Sequence, residues 1–218
     1  MSDTATAHQS WDKRWQSGEG REEWLNPDPQ VLRWAQARRL AGGETALDLG
    51  CGIGRHSLAL ARLGYVTTAF DASLAGLEYT RQAAEEEGLA LIFERGSMTD
   101  LPFPDASFDY VLALNVIYHG DASVVRRAIA EIRRVLKPGG VYQGTMLSKR
   151  NARYGEGREV APNTFVKDGA GGDKDHPHFY CNASELVELF SGFEILSLED
   201  IEQKGPGTWH WYLVVDPI

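Results

Sequence analysis

The stretch Thr45-Ala46-Leu47-Asp48-Leu49-Gly50-Cys51-Gly52-Ile53-Gly54-Arg55-His56-Ser57 decides the fold. Thr45 to Leu49 has the length and apolar content of a buried strand. Arg55 to Leu63 reads as a helix, with Leu58, Ala59, Ala61 and Leu63 as its apolar residues and Gly64 as its stop. Alternate glycines at the turn between them let the main chain take left-handed conformations and approach a ligand closely. The first N–H groups of the helix then face an anionic group. A P-loop needs Gly-Lys-Ser/Thr where this chain has Gly54-Arg55-His56. A dinucleotide fingerprint counted from Gly50 or Gly52 needs glycine where the chain has Arg55 or Ser57. Both readings fail.

Working outward, strand and helix patterns keep alternating. Tyr65 to Phe70 reads as a second strand, and Ser73 caps a helix that runs to Glu87 and stops at Gly88. Leu89 to Glu94 and Phe108 to Leu114 read as the third and fourth strands. Asp121 to Leu136 is an amphipathic helix whose Val124, Val125, Ala128, Ile129, Ile132 and Val135 share one face. Lys137-Pro138-Gly139-Gly140 has the composition of a turn, and Val141 to Leu147 that of a fifth strand. Such alternation predicts an α/β fold, a parallel sheet covered on both faces, with ligands beyond the carboxyl ends of its strands. Residues 148–181 are rich in Gly, Asp, Lys, Arg and Asn, and are expected to form a long loop covering the site. Ser184 to Phe190 reads as a short helix. Glu194 to Leu198 and Trp209 to Val215 read as an antiparallel hairpin about Lys204-Gly205-Pro206-Gly207.

Composition narrows the partners. The formal net charge of -9 disfavours a nucleic acid, whose phosphates call for clustered Lys and Arg. Two distant cysteines, Cys51 and Cys181, make neither a disulfide framework nor a zinc-finger spacing, and fit a reducing compartment. The first residues carry no apolar signal segment, and no stretch is long and apolar enough to span a membrane. A cytoplasmic location without membrane contact is the expectation.

Asp71 follows the second strand about twenty residues after the glycine loop, the spacing at which such folds set an acid against ribose hydroxyls. Asp48 closes the first strand, with alternate glycines behind it, as in loops that hold S-adenosylmethionine (SAM). Four ordered segments carry the likeness further: Leu47 to Gly54, Phe70-Asp71-Ala72-Ser73, Leu101 to Val111, and Val135 to Gly140. Together they resemble the class I SAM-dependent methyltransferase family across residues 45–147. Chain length, the Trp11 to Trp15 segment and Trp209-His210-Trp211 are most similar to small-molecule methyltransferases of the tellurite-resistance group.

The resemblance implies a Rossmann-like, seven-stranded, mostly parallel sheet ending in the antiparallel hairpin. It implies a helical lid over residues 1–43 and a methyltransferase domain over 44–218, with SAM as cofactor. Asp48, Gly50, Gly52 and Gly54, with Cys51 as the small residue among them, would line the methionine part and the ribose. Asp71 would hold the ribose, with Ala72 or Ser73 beside the adenine. Ser97 and Met98 fall where the family contacts adenine, though many members carry an acid in place of Ser97. Asn115 would meet the methionine moiety through its backbone.

The acceptor is less legible. His119, directly after the fourth strand, is the candidate general base, with Tyr118 beside it. His178, Tyr180, His210 and Arg150 are candidates for the acceptor wall. A metal set of His176, His178, Cys181 and His210 matches no standard zinc spacing, so no metal is expected. Arg55, Arg150 and Arg153 are candidate anion contacts. Trp11 and Trp15 stand one helical turn apart and suit a lid. The resulting expectation is methyl transfer to a small thiol, chalcogen or hydroxyl compound, by a monomer or homodimer. The alternatives are a tRNA or protein acceptor, or a non-catalytic SAM-binding module.

Overall fold

The computed structural model describes residues 6–167 and 175–218. Three helices come first: α1 (Ala7–Trp15), α2 (Gly18–Glu22) and α3 (Pro29–Leu40). Asp28 caps α3 by accepting the Gln30 N–H at 2.8 Å, and Pro29 sits in the first turn, where its missing donor costs nothing. The alternating unit follows as β1 (Thr45–Leu49), α4 (Arg55–Arg62), β2 (Val66–Asp71), α5 (Leu74–Glu86) and β3 (Leu91–Arg95). It continues as β4 (Phe108–Ala113), α6 (Ala122–Val135) and β5 (Leu136–Ser148). The chain ends in β6 (Arg158–Ala161), β7 (Thr164–Val166), β8 (His178–Cys181), α7 (Ala183–Leu189), β9 (Phe193–Glu202) and β10 (Trp209–Pro217).

The expected seven strands lie in the order β3-β2-β1-β4-β5-β10-β9. The first five are parallel, while β10 runs antiparallel to both β5 and β9. Period-two alternation sorts the two cores. Leu47, Leu49, Val111 and Ala113 face one side, with Ile129, Ile132 and Val135 of α6 in the same cluster. Ala46, Tyr110 and Leu112 face the other, with Val31 and Ala35 of α3 and Leu60 of α4. In register, Leu49 lies beside Phe70 and Asp48 beside Leu112, so β1, β2 and β4 end near one level. That common edge is where the glycine loop emerges.

Two expectations need correcting. Residues 148–181 are not one loop: β8 adds to the end of β5 through Leu147–Tyr180 and Ser148–Cys181, and β7 and β6 extend it. Phe165, Tyr180 and Tyr154 pack together there, an aromatic staple that the polar composition of the segment concealed. Residues 168–174 of that expected loop lie outside the described residues. Lys137 to Gly140 is likewise an irregular part of β5 rather than a turn between elements. Asp109 explains it. Its carboxylate accepts the Lys137 ammonium at 2.9 Å, the N–H groups of Glu44 and Thr45 at 3.0 Å each, and the Thr45 hydroxyl at 2.9 Å. One side chain thus clamps β1, β4 and the irregularity in β5.

Candidate active site

Above the carboxyl edge of β1, β2 and β4 lies a cavity of about 730 Å³, within the range of cofactor sites. Its floor is the glycine loop. Gly52 has φ +55 and a Cβ there would stand 3.0 Å from the Trp15 ring, so only glycine suits that position. The roof comes from the N-terminal helices, with Trp11, Trp15 and Trp24 all on the cavity wall. Trp11 stacks on Trp15 at 5.0 Å, and Trp24 meets both rings edge-on. Asp12 pins α1 in place: it accepts the Ser73 hydroxyl at 2.7 Å and the Ala75 N–H at 3.1 Å, at the start of α5.

Two carboxylates face the cavity. Asp48 is almost fully buried and accepts the Ser57 hydroxyl at 2.6 Å. Burial raises its pKa to about 6, with the Ser57 bond pulling the other way. Asp71 accepts the N–H of Gly52 and of Ser73, each at 2.7 Å and each on a different oxygen. Burial raises its pKa as well, against those backbone bonds. Each Asp71 oxygen has a second lone pair, and the pair matches two adjacent hydroxyls.

Cys51, Ala72, Ser97, Met98, Asn115 and His119 also line the cavity, as does Gly50. Gly54 does not. It sits at φ +78 as the residue before α4, where a Cβ would collide with Thr80, and its part is to turn the loop into the helix. Ser73 is likewise absent from the wall, because its hydroxyl caps α5 and binds Asp12. Asn115 is held on all sides: its side chain by Thr145 and Gln203, its N–H by the Thr145 hydroxyl oxygen at 2.7 Å, and its carbonyl oxygen by His119 Nε2 at 3.0 Å.

His119 reaches the wall with both nitrogens engaged by protein. Nε2 lies 3.0 Å from the Asn115 carbonyl oxygen, and Nδ1 lies 2.9 Å from His176 Nε2. A carbonyl only accepts, so Nε2 carries the proton and Nδ1 the lone pair of the neutral ring. That lone pair points to His176, which corrects the expectation of a base aimed at an acceptor. Tyr118 is buried in the core beside His119, away from the cavity wall.

The expected acceptor wall is not assembled. His178 lies behind His119, its ring 4.8 Å from that of His119. Tyr180 belongs to the aromatic staple, and His210 gives Nδ1 to the Thr208 carbonyl at 2.8 Å. Arg150 pairs with Asp200 at 3.4 Å and stacks 3.5 Å over Trp209. None of the four lines the cavity: β8 carries His178 and Tyr180, and β10 carries His210, past it into the sheet, while Arg150, in the turn after β5, is held by Asp200 and Trp209. Arg55 does reach the wall, between the Asn26 carbonyl and the Trp24 face.

Several wall residues have no place among the sequence candidates, among them Arg95, Thr99 and Arg127, and two of them, His56 and Trp24, shape the loop's surroundings. His56 accepts the Asp28 N–H through Nε2 at 3.1 Å, and burial holds its pKa well below the ordinary value, so it stays neutral. Its place in the first turn after the glycine loop was the available signal. Trp24 had none, since only the path of α2 brings it over the loop.

A SAM-sized ligand fits this chemistry. Trp15 and Trp24 each bury an indole N–H with no protein acceptor, on a wall that also offers two carboxylates and bare main chain.

Comparison with known proteins agrees. A methyltransferase-domain family matches residues 46–140. A putative methyltransferase of Encephalitozoon cuniculi is 34% identical over 176 residues, covering 75% of this chain and 79% of that protein. The sterol 24-C-methyltransferase of Pneumocystis carinii is 31% identical over 181 residues, covering 78% of this chain. The chain spans only 45% of that relative's length. Among solved structures, a SAM-dependent methyltransferase from Methanosarcina mazei superposes with a TM-score of 0.73 at 24% identity, covering 89% of this chain and 99% of that one. TehB from Haemophilus influenzae gives 0.66 at 17% identity, covering 94% and 67%, a likeness of fold.

Proposed function

Because the chain belongs to the class I SAM-dependent methyltransferases, we propose that it methylates a small thiol, chalcogen or acidic hydroxyl compound. The observation that carries this reading is the roof of three indoles over a cavity of about 730 Å³. Once the cofactor is inside, the remaining room suits a small molecule. A formal net charge of -9 disfavours a nucleic acid acceptor.

SAM supplies a methyl group on a sulfonium, activated for in-line displacement by the acceptor's lone pair. The chain's residues hold and enclose. Asp71 binds the ribose hydroxyls, and charge-assisted bonds of this kind contribute roughly 1.5–3 kcal/mol each. The Gly50–Gly52 main chain and Asp48 cradle the methionine end, and Arg55 faces its carboxylate. Ala72, Ser97 and Met98 border the adenine. Trp11 and Trp15 on α1 form the lid that excludes water. His119 shapes the wall and removes no proton directly, since Asn115 and His176 engage both its nitrogens. Acceptors that attack as anions suit such a site, because positioning alone provides much of the rate.

The experiment is a panel of small thiols, phenols, amines, chalcogen oxyanions, sterols, tRNA and protein, scored by S-adenosylhomocysteine release. Turnover with thiols or chalcogen anions supports the reading. Turnover confined to tRNA, protein or sterols overturns it.

A further inference from the structure

The sequence spacing argued against a metal, but the fold joins residues that spacing kept apart. His119 comes from the loop after β4, His176 from the approach to β8 and His178 from its first position, with an antiparallel bridge between His119 and His178. All three imidazoles are buried, at 6%, 1% and 1% exposure. One nitrogen from each lies within 4.8 Å of the other two. Cys181 and His210, considered with them from sequence, are not in the set.

We propose that His119, His176 and His178 form a site for a divalent transition metal of the zinc class. Three features carry it. First, metal-bound imidazoles characteristically donate their other ring nitrogen to a carbonyl or carboxylate, which fixes the tautomer. His119 Nε2 stands 3.0 Å from the Asn115 carbonyl and His178 Nδ1 stands 2.8 Å from the His176 carbonyl. Each contact fixes the proton on that nitrogen and places the lone pair on the other: Nδ1 of His119 and Nε2 of His178.

Second, spacing is close to what coordination needs. Zinc–nitrogen bonds of about 2.0–2.1 Å set neighbouring ligand nitrogens roughly 2.9–3.4 Å apart, depending on the angle. His119 Nδ1 and His176 Nε2 already stand 2.9 Å apart. The third ring closes inward by roughly an ångström to complete the shell. Third, the donor set is chemically selective. Three neutral imidazoles suit zinc, cobalt, nickel or copper and offer nothing to magnesium or calcium, which take oxygen. A water in the fourth position completes a three-histidine site.

Metal binding would replace the His119–His176 hydrogen bond, with the Nε2 proton of His176 moving to its Nδ1 or to water. It would tie the loop after β4 to β8, and so stiffen the wall that His119 gives the cavity. The inference stands apart from the identity of the acceptor.

The test uses tag-free full-length protein and no cofactor. Cobalt(II) titration, followed by visible d–d absorption, should saturate at one equivalent, and zinc should displace the signal. His176→Gln and His178→Gln should each weaken zinc binding tenfold or more by calorimetry, while His210→Gln, a nearby histidine outside the set, should not. Saturating zinc should raise the wild-type melting temperature, and that rise should vanish in His178→Gln, whose metal-free melting curve reports its folding. Absence of a cobalt spectrum, or zinc affinity unchanged in both set variants, overturns the site.

Discussion

Asp48 is buried and Asp71 half-buried at the cavity, and their surroundings give them different parts. Asp71 spends one lone pair of each oxygen on the Gly52 and Ser73 N–H groups, which fixes its rotamer and orients the other two outward. Removing it should therefore cost binding: Asp71→Ala should weaken SAM affinity tenfold or more by calorimetry, in line with lost charge-assisted bonds. Asp48 has a single side-chain donor, Ser57, and its pKa stands at about 6 because burial opposes its charge. A folded pKa above the unfolded value means that stability from this group is full below the unfolded pKa and is lost as pH rises through about 6. Asp48→Asn should accordingly be more stable than wild type above pH 6, by about 1–3 kcal/mol, with the gain fading toward pH 4. Urea unfolding at several pH values reads this directly, and a gain independent of pH would refute the assignment.

At the scale of elements, two ties hold the site's frame. Asp109 joins β1, β4 and the irregular start of β5 through Lys137, Thr45 and Glu44. Burial alone would raise its pKa, but those partners more than offset this and leave it lowered. Its stabilisation is present above the ordinary carboxylate range and is lost as pH falls below it. Asp109→Ala should cost about 2–4 kcal/mol in urea unfolding at neutral pH, since it strands an ammonium and two N–H donors. The second tie is Asp12 on the start of α5, which keeps Trp11 and Trp15 over the glycine loop. Asp12→Ala should speed proteolytic nicking around α1 and weaken SAM binding severalfold, while leaving the unfolding midpoint of the sheet nearly unchanged. Equal nicking with and without Asp12 would show that α1 is held by its indoles alone.

Across the whole molecule, the parallel half was legible because local signals agree with the global fold there. Glycines mark the β1–α4 turn, and α6 pairs an Asp121 cap with six apolar residues on one face. The cavity's cofactor edge followed from the same logic, since the parallel strands deliver Asp48 and Asp71 to the same carboxyl edge of the sheet. The acceptor side was not legible. His178, Tyr180, Arg150 and His210 sit on or beside strands whose pairing partners come from distant segments, and sequence does not reveal which way such strands pass. For the same reason the meeting of His119 with His176 was invisible, although each histidine was noticed. The polar segment after β5 hid three short strands, because the few aromatics that hold them, Tyr154, Phe165 and Tyr180, are scattered among polar residues and meet only in the fold.

The placement of the nucleoside is what the assignment of the cofactor residues depends on. A crystal structure with S-adenosylhomocysteine tests it most directly. The prediction is a ribose whose two hydroxyls lie within hydrogen-bond distance of the two Asp71 oxygens, with the amino-acid end on the Gly50–Gly52 main chain. Ligand density elsewhere, or a ribose with no contact to Asp71, would contradict it.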